Sequence, residues 1–317
     1  MACLTLDASA PGDVRLLHGI LTRPLPSVVH CANCGTAMRF LTAYFAQRAG
    51  IELTLDGSER MRRRPVGQLV DALRQLGADI EYRGEEGFPP LHIRGRQLQH
   101  KKVSVLRPQS TQFVSALLLI GADVVTDCRS PYIDMTRALC NRPLADGPAA
   151  IERDWSAAAF WYEWVALHGR TLFLEGLCQD SLQGDRIVAD LFSRFGVRTT
   201  YRSDGVLLEA LPKPCPSLTQ EIDFSACPDL YPAVFATCVR LGIRLPFTGL
   251  ERLPLKESDR LAAMRQLVDE PQKEIYRTFG DHRIAMAMLC AGYGVDDTDC
   301  ISKSYPQFME QWRTLPS

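Results

Sequence analysis

Asp190-Leu-Phe-Ser-Arg-Phe-Gly196-Val-Arg-Thr-Thr-Tyr201-Arg202 repeats Asp71-Ala-Leu-Arg-Gln-Leu-Gly77-Ala-Asp-Ile-Glu-Tyr82-Arg83 at a constant offset of 119 residues. Asp, Gly, Tyr and Arg match in both copies. In each, a helical period ends at a glycine and passes into a strand-like run. A Gly-containing turn and a second short strand follow, Leu91-His-Ile-Arg94 in the first copy and Val206-Leu-Leu-Glu209 in the second. Leading into the first copy, Val66, Leu69, Val70, Leu73 and Leu76 share one face. Pro65 in front of them predicts a helix that opens at Pro65 and stops before Gly77. A repeat this wide predicts an α/β chain of two domains built from similar helix–strand–hairpin units. The irregular stretch Asn141-Arg-Pro-Leu-Ala-Asp-Gly-Pro-Ala-Ala places the boundary, with a hinge near Ile151. The expected domains are residues 1–151 and 152–317.

Composition narrows the function classes. The 317 residues are 46% hydrophobic and 23% charged, values of a globular chain. Lys plus Arg number 36 and Asp plus Glu 37, which excludes a basic nucleic-acid arm or an acidic tail as the main theme. The longest apolar stretch, around Val114–Val125, is broken by Ser115, Gly121 and Asp123, too short and polar for a membrane span. The opening Met1-Ala-Cys-Leu-Thr-Leu-Asp lacks a basic and then apolar leader, so a cytoplasmic protein is expected. The 11 cysteines are read as reduced thiols. Cys31 and Cys34 form a Cys-x-x-Cys, but no second ligand pair accompanies it, and no metal is expected.

Polar clusters stand where helices are expected to begin. Asn33-Cys-Gly35-Thr36 precedes an apolar helix; Ser110-Thr111-Gln112 precedes Phe113–Ile120; Lys256-Glu257-Ser258-Asp259-Arg260 opens Leu261–Leu267; Asp281-His282-Arg283 opens Ile284–Cys290. Ser302-Lys303-Ser304 precedes a final helix, and Asp154 or Ser156, and Ser181, are candidate caps of two more. Free N–H groups and the positive dipole end make such positions anion sites. Arg260 and Arg283 in a first helical turn oppose the dipole and need a partner. A bound anion would serve, and so would Glu257, Asp259 or Asp281. Lys256 and His282 can move protons. Asp229, after Pro228, reads equally as a helix cap or as a proton acceptor.

Taken in order, these clusters resemble the EPSP synthase (3-phosphoshikimate 1-carboxyvinyltransferase) family. The matching motifs are Asn33-x-Gly35-Thr-Ala-Met-Arg39, Arg60-Met-x-x-Arg64-Pro65, Ser110-Thr-Gln-Phe113, Pro131-Tyr132-Ile-Asp-Met-Thr, Gln183-Gly-Asp185, Pro228-Asp229, Lys256-Glu-x-Asp-Arg260, Asp281-His-Arg283 and Lys303-Ser-Tyr-Pro306. The resemblance implies an inside-out α/β barrel fold with repeated βαβαββ units in two domains and substrates in the cleft. It implies transfer of the enolpyruvyl group of phosphoenolpyruvate to the 5-hydroxyl of shikimate 3-phosphate, with no cofactor, as a monomer without nucleic-acid or membrane partners. Ser110, Thr111, Gln112, Arg129 and Tyr132 would bind shikimate phosphate on the first domain's side. Asn33, Gly35, Arg64, Arg260, Arg283 and Lys303 would bind phosphoenolpyruvate. Asp229, Lys256, Glu257 and His282 would be catalytic.

Departures accompany the match. The family's opening Lys-Ser segment and nearby Arg have no equivalent, so the first unit is expected to be incomplete. Arg129 stands where the family usually has Ser. A helix end and hairpin are missing between Arg137 and Ile151, and another hairpin between Leu267 and Gly280. The alternatives are a degenerate member that binds a phosphorylated ligand without turnover, and the sister enolpyruvyl transfer to UDP-N-acetylglucosamine. The latter family lacks the Ser-Ser-Gln and Pro-Tyr-Ile-Asp motifs.

Overall fold

Each helix that carries a polar cluster follows a strand of a parallel pair, and this order decides where the clusters sit. The computed structural model describes residues 10–99, 101–142, 152–211 and 220–315. The opening segment read for a leader and the boundary placed near Ile151 lie outside them. The chain divides into two compact units, Met1–Leu144 and Ala145–Ser317.

In the first unit, helix α1 (Gly12–Thr22) precedes β1 (Val28–His30), α2 (Gly35–Ala46), β2 (Glu52–Asp56), α3 (Glu59–Arg62), α4 (Gly67–Gln75), β3 (Asp79–Tyr82) and β4 (Leu91–Arg94). These strands form one sheet in the order β1-β2-β4-β3, with β1 and β2 parallel and the rest antiparallel. A second group follows: β5 (Lys102–Ser104), α5 (Thr111–Leu119), β6 (Asp123–Val125) and α6 (Pro131–Cys140), with β5 and β6 parallel. A helix joining two parallel strands must start where the first strand ends. Hence α2 starts at the carboxyl end of β1, and α5 at that of β5. Leu91 and Ile93 of β4 face the core while His92 and Arg94 face out, toward Glu52. The core under the sheet includes Leu41, Phe45, Leu55, Leu69, Leu73 and Phe113.

The second unit contains α7 (Trp155–His168), β7 (Thr171–Glu175), α8 (Val188–Ser193), β8 (Val197–Tyr201), β9 (Gly205–Ala210), β10 (Ile222–Asp223), α9 (Tyr231–Leu241), β11 (Phe247–Thr248), α10 (Arg260–Asp269), β12 (Ile275–Tyr276), α11 (His282–Cys290), β13 (Gly294–Val295) and α12 (Phe308–Thr314). Strands β7-β9-β8 form an antiparallel sheet, and β10/β11 and β12/β13 are parallel pairs. Helix α7 is buried at every residue from Ala158 to Val165 and is the spine of this unit's core.

The sequence repeat is a repeat of structure. The segment α4-β3-β4 pairs with β2 as α8-β8-β9 pairs with β7: the order is β2-β4-β3 in one unit and β7-β9-β8 in the other. The two matched glycines are both left-handed, Gly77 at φ 94 and Gly196 at φ 83. Three local expectations are corrected. Helix α4 starts at Gly67, two residues after Pro65, because the Val66 N–H is held by Gly87 O at 2.8 Å. Ser181 is not the capping residue: it accepts the Gln183 N–H at 3.0 Å and donates to Glu152 at 2.7 Å, and Gln183 holds the position before the 3-10 turn Gly184–Ile187. Ser302 lies inside a 3-10 turn, donating to Asp299 O at 2.8 Å. Residues 270–274 alone join α10 to β12, so no hairpin intervenes there. Left-handed backbone costs a residue with a Cβ about 1–2 kcal/mol. Gly77→Ala and Gly196→Ala should therefore each lower stability by about 1–2 kcal/mol in urea titrations, with Asn at either site costing less. Unequal losses would argue against a shared turn.

Candidate active site

In the second unit, side chains from four segments converge on one guanidinium. Arg260 is the first residue of α10 and is 1% exposed. Its Nε donates to Asp281 Oδ2 at 2.8 Å, its Nη1 to Asp229 Oδ1 at 2.7 Å, and its Nη2 to Glu257 Oε2 at 3.0 Å. A cation in a first helical turn opposes the dipole, and these three carboxylates are what offsets it. Of the partners left open above, Glu257 and Asp281 are used. Asp259 instead caps α10, accepting the Ala262 N–H at 3.1 Å.

Asp229 lies in a 3-10 turn, Pro228–Leu230, between β10 and α9. Besides Arg260, its Oδ1 accepts from Lys256 Nζ at 3.0 Å, and its Oδ2 lies 3.3 Å from Arg283 Nη2. Burial favours the neutral acid, but the charges of Arg283, Lys256 and Arg260 outweigh it and hold Asp229 well below the usual carboxylate range. Glu257 bridges Arg260 to Lys303, whose Nζ donates to Oε1 at 2.7 Å. Asp281 caps α11 by accepting the Arg283 N–H at 3.0 Å, and also takes the Ser258 hydroxyl at 3.0 Å. Asp229, Lys256, Glu257, Arg260, Arg283 and Lys303 thus form one connected network. His282 stands beside it, with Nδ1 3.9 Å from Asp281 Oδ1 and no hydrogen bond to Nδ1. Burial pulls its pKa down to about 3, so the imidazole is neutral at pH 7.

In the first unit, Asn33, Gly35 and Arg64 meet at the start of α2. Arg64 Nη1 lies 3.5 Å from Asn33 O, and a Cβ on Gly35 would stand 2.9 Å from Arg64 Nη2. It would also overlap Arg39 Nη1, so two guanidiniums close on this glycine. Arg39 is 3% exposed and lies 5.6 Å from the Phe113 ring centre. Ser110 caps α5, accepting the Gln112 N–H at 3.3 Å, and Thr111 opens that helix. Gln112 Nε2 donates to Thr36 Oγ1 at 2.9 Å, joining the starts of α5 and α2. Tyr132 is in the first turn of α6, which packs on α5 through a 2.8 Å Ser115–Thr136 hydrogen bond. Arg129 is exposed, one residue before Ser130 at the N-cap.

Sequence reasoning missed Arg39, Thr36 and Ser258. All lie inside motifs already quoted, so their signal was adjacency rather than residue type. Among the described residues, no cluster of His, Cys, Asp and Glu could hold a metal ion. No helix among them is long and apolar enough to cross a membrane. Cys31 and Cys34 are buried and form no disulfide, and Cys34 Sγ accepts the Ala37 N–H at the start of α2.

The low pKa of His282 sets a pH dependence. An unfolded histidine takes up a proton near pH 6.5, while the buried one does so only near 3. The unfolded state therefore binds more protons between these values, and stability is complete above about pH 6.5 and falls as pH drops toward 3. His282→Gln should flatten the slope of stability between about pH 6.5 and 4, above the range where Asp229 and Asp281 titrate. An unchanged slope in urea titrations would show that His282 is solvated.

The profile of the EPSP synthase (3-phosphoshikimate 1-carboxyvinyltransferase) family matches residues 8–270 and 268–312. The 3-phosphoshikimate 1-carboxyvinyltransferase of Bacteroides fragilis is 35% identical, over 90% of this chain and 82% of the relative. That of Shewanella pealeana is 29% identical, over 94% and 82%. The solved EPSP synthase of Acinetobacter baumannii superposes with a TM-score of 0.63 at 21% identity, over 91% of this chain and 78% of the other, so the fold is shared. Over almost its whole described length, this chain belongs to the EPSP synthase family.

Proposed function

We propose that the protein transfers the enolpyruvyl group of phosphoenolpyruvate to the 5-hydroxyl of shikimate 3-phosphate and releases phosphate. The observation that carries this reading is the network around Asp229, an ionised acid touched by three cations. Both substrates are anions that repel each other, and fixed Arg and Lys side chains are what offsets that repulsion. Ser110, Thr111, Gln112, Arg129 and Tyr132 take shikimate phosphate in this reading. Asn33, Gly35, Arg64, Arg260, Arg283 and Lys303 take phosphoenolpyruvate.

The reaction moves protons at two places: off the attacking hydroxyl, and onto and then off the methylene carbon. The 5-hydroxyl attacks C2 of phosphoenolpyruvate, and its proton goes to Asp229. The methylene carbon gains a proton from Lys256 or through Glu257, giving a tetrahedral intermediate. The C–O bond to phosphate then breaks, the departing phosphate takes the proton held by Asp229, and a methyl proton returns to Lys256 or Glu257 as the double bond is restored. Arg260 and Arg283 stabilise the charge on the departing phosphate. His282, neutral at pH 7, fills space beside this helix start and carries no charge there.

Phosphate release with both substrates tests the reaction. Release dependent on shikimate 3-phosphate is expected; ligand-induced thermal stabilisation without release would establish binding alone. Asp229→Asn should cut turnover by about 10²–10⁴-fold, the usual worth of a general base, with circular dichroism unchanged. Wild-type rates would remove Asp229 from the mechanism. Gly35→Ala should raise the KM for phosphoenolpyruvate about tenfold, or 1.4 kcal/mol, because the new methyl displaces the Arg39 and Arg64 guanidiniums. An unchanged KM would place that substrate elsewhere.

A further inference from the structure

Glu163 is the charged residue that the proposed chemistry does not use and the core does not explain. It sits in the middle of α7, is 0% exposed, and neither carboxyl oxygen has a hydrogen-bond partner. Its neighbours on α7, Ala159, Phe160, Tyr162, Trp164 and Val165, are buried as well. Cys290, at the end of α11, and Tyr293, in the turn beyond it, are within its electrostatic reach. From α9, the Arg240 guanidinium lies over the Tyr293 ring, 5.4 Å from its centre. From α8, β7, β8 and β9, no charged group among the described residues acts on Glu163. Burial alone pushes its acid well above the usual range, so the intact core favours the neutral carboxyl. An ionised carboxylate there would be a bare charge in apolar surroundings, which is among the costliest things a core can hold.

We propose that Glu163 is a pH-operated lock on the second unit: protonated, it lets α7 pack on α11, and when its proton passes to solvent the charge forces that contact open. The start of α11 carries Asp281, His282 and Arg283, so opening would also disturb the network around Asp229. That last consequence rests on the proposed function, whereas the lock itself does not.

The sign follows from linkage. A carboxyl raised in the folded state gives stability that is complete below about pH 4.5 and is lost as pH rises toward its folded value. The four tryptophans, Trp155, Trp161, Trp164 and Trp312, all lie in the second unit, so their fluorescence reports its unfolding. Urea titrations of the full-length wild type, Glu163→Gln and Glu163→Met from pH 5 to 9 test the proposal. The unfolding constant of the wild type, divided by that of either variant, should rise about tenfold per pH unit until Glu163 ionises in the folded chain. Constant differences between proteins cancel in this slope, so a variant weakened by its new side chain still reads out. Should Glu163→Met fail to fold, Glu163→Gln, of equal volume, carries the test. A ratio that stays flat with pH for the folded variants would overturn the proposal, because Glu163 would then hold its proton equally in both states.

Discussion

The second unit depends on burying one guanidinium among three carboxylates. Arg260 is 1% exposed, and Asp281, its nearest partner by Nε, is 0% exposed. Burial alone would weaken the charged form of Arg260, but Asp281, Asp229 and Glu257 more than restore it. A buried pair of this kind is weak evidence for net stability, since desolvation consumes most of the attraction. Breaking it is another matter: a lone buried charge costs several kcal/mol. The network therefore acts chiefly as a geometric constraint. It ties the Pro228–Leu230 turn, the Lys256–Asp259 loop, α10 and the start of α11 into one arrangement, and no member can move without exposing another's charge.

The backbone puts these segments within reach through the parallel pairs. In β10/β11 and β12/β13 each strand runs into a polar turn and then a helix, so Asp229 and Asp281 both emerge at strand ends. The first unit uses the same device in β1/β2 and β5/β6, delivering Asn33 and Gly35, and Ser110 and Thr111. Strands of two or three residues suffice because their helices, rather than a wide sheet, supply the core. The residues proposed for the chemistry and those that set the fold thus share the same positions, where the chain leaves a strand and begins a helix.

That coincidence explains what could be read in the sequence. The 119-residue repeat was legible because Gly77 and Gly196 each need a left-handed backbone, and the hydrophobic period on either side is strong. The helix starts at Asp154, Asp259 and Asp281 were legible because short acids cap helices. Pro65, Ser181 and Ser302 misled for the converse reason. Local cap chemistry was available to each, but the helix starts fall elsewhere: the Val66 N–H donates to Gly87 O, Ser181 joins Gln183 to Glu152 ahead of a 3-10 turn, and Ser302 donates to Asp299 O inside another. Arg39 was not legible as a site residue, since only the fold brings its guanidinium under Gly35. Nor was Glu163: a single acid in an apolar helix reads as a solvent-facing position until the helix is found buried on every side.

The network also resolves a conflict in the proposed role of Asp229. A carboxylate held this low by three cations is a poor base, because proton transfer from a hydroxyl becomes steeply unfavourable as the acceptor's pKa falls. Two of these cations, Arg260 and Arg283, are also assigned to phosphoenolpyruvate. When Arg260 and Arg283 turn part of their charge to an arriving phosphate and carboxylate, Asp229 loses the interactions that depress it, and its basicity rises. Arg283 matters most here, since it is the largest of the charges acting on Asp229. Arg260 has less freedom, being pinned by Asp281 and Glu257. On this argument the acid is kept ionised and inert until the anion it serves is in place, so substrate binding itself switches on the base.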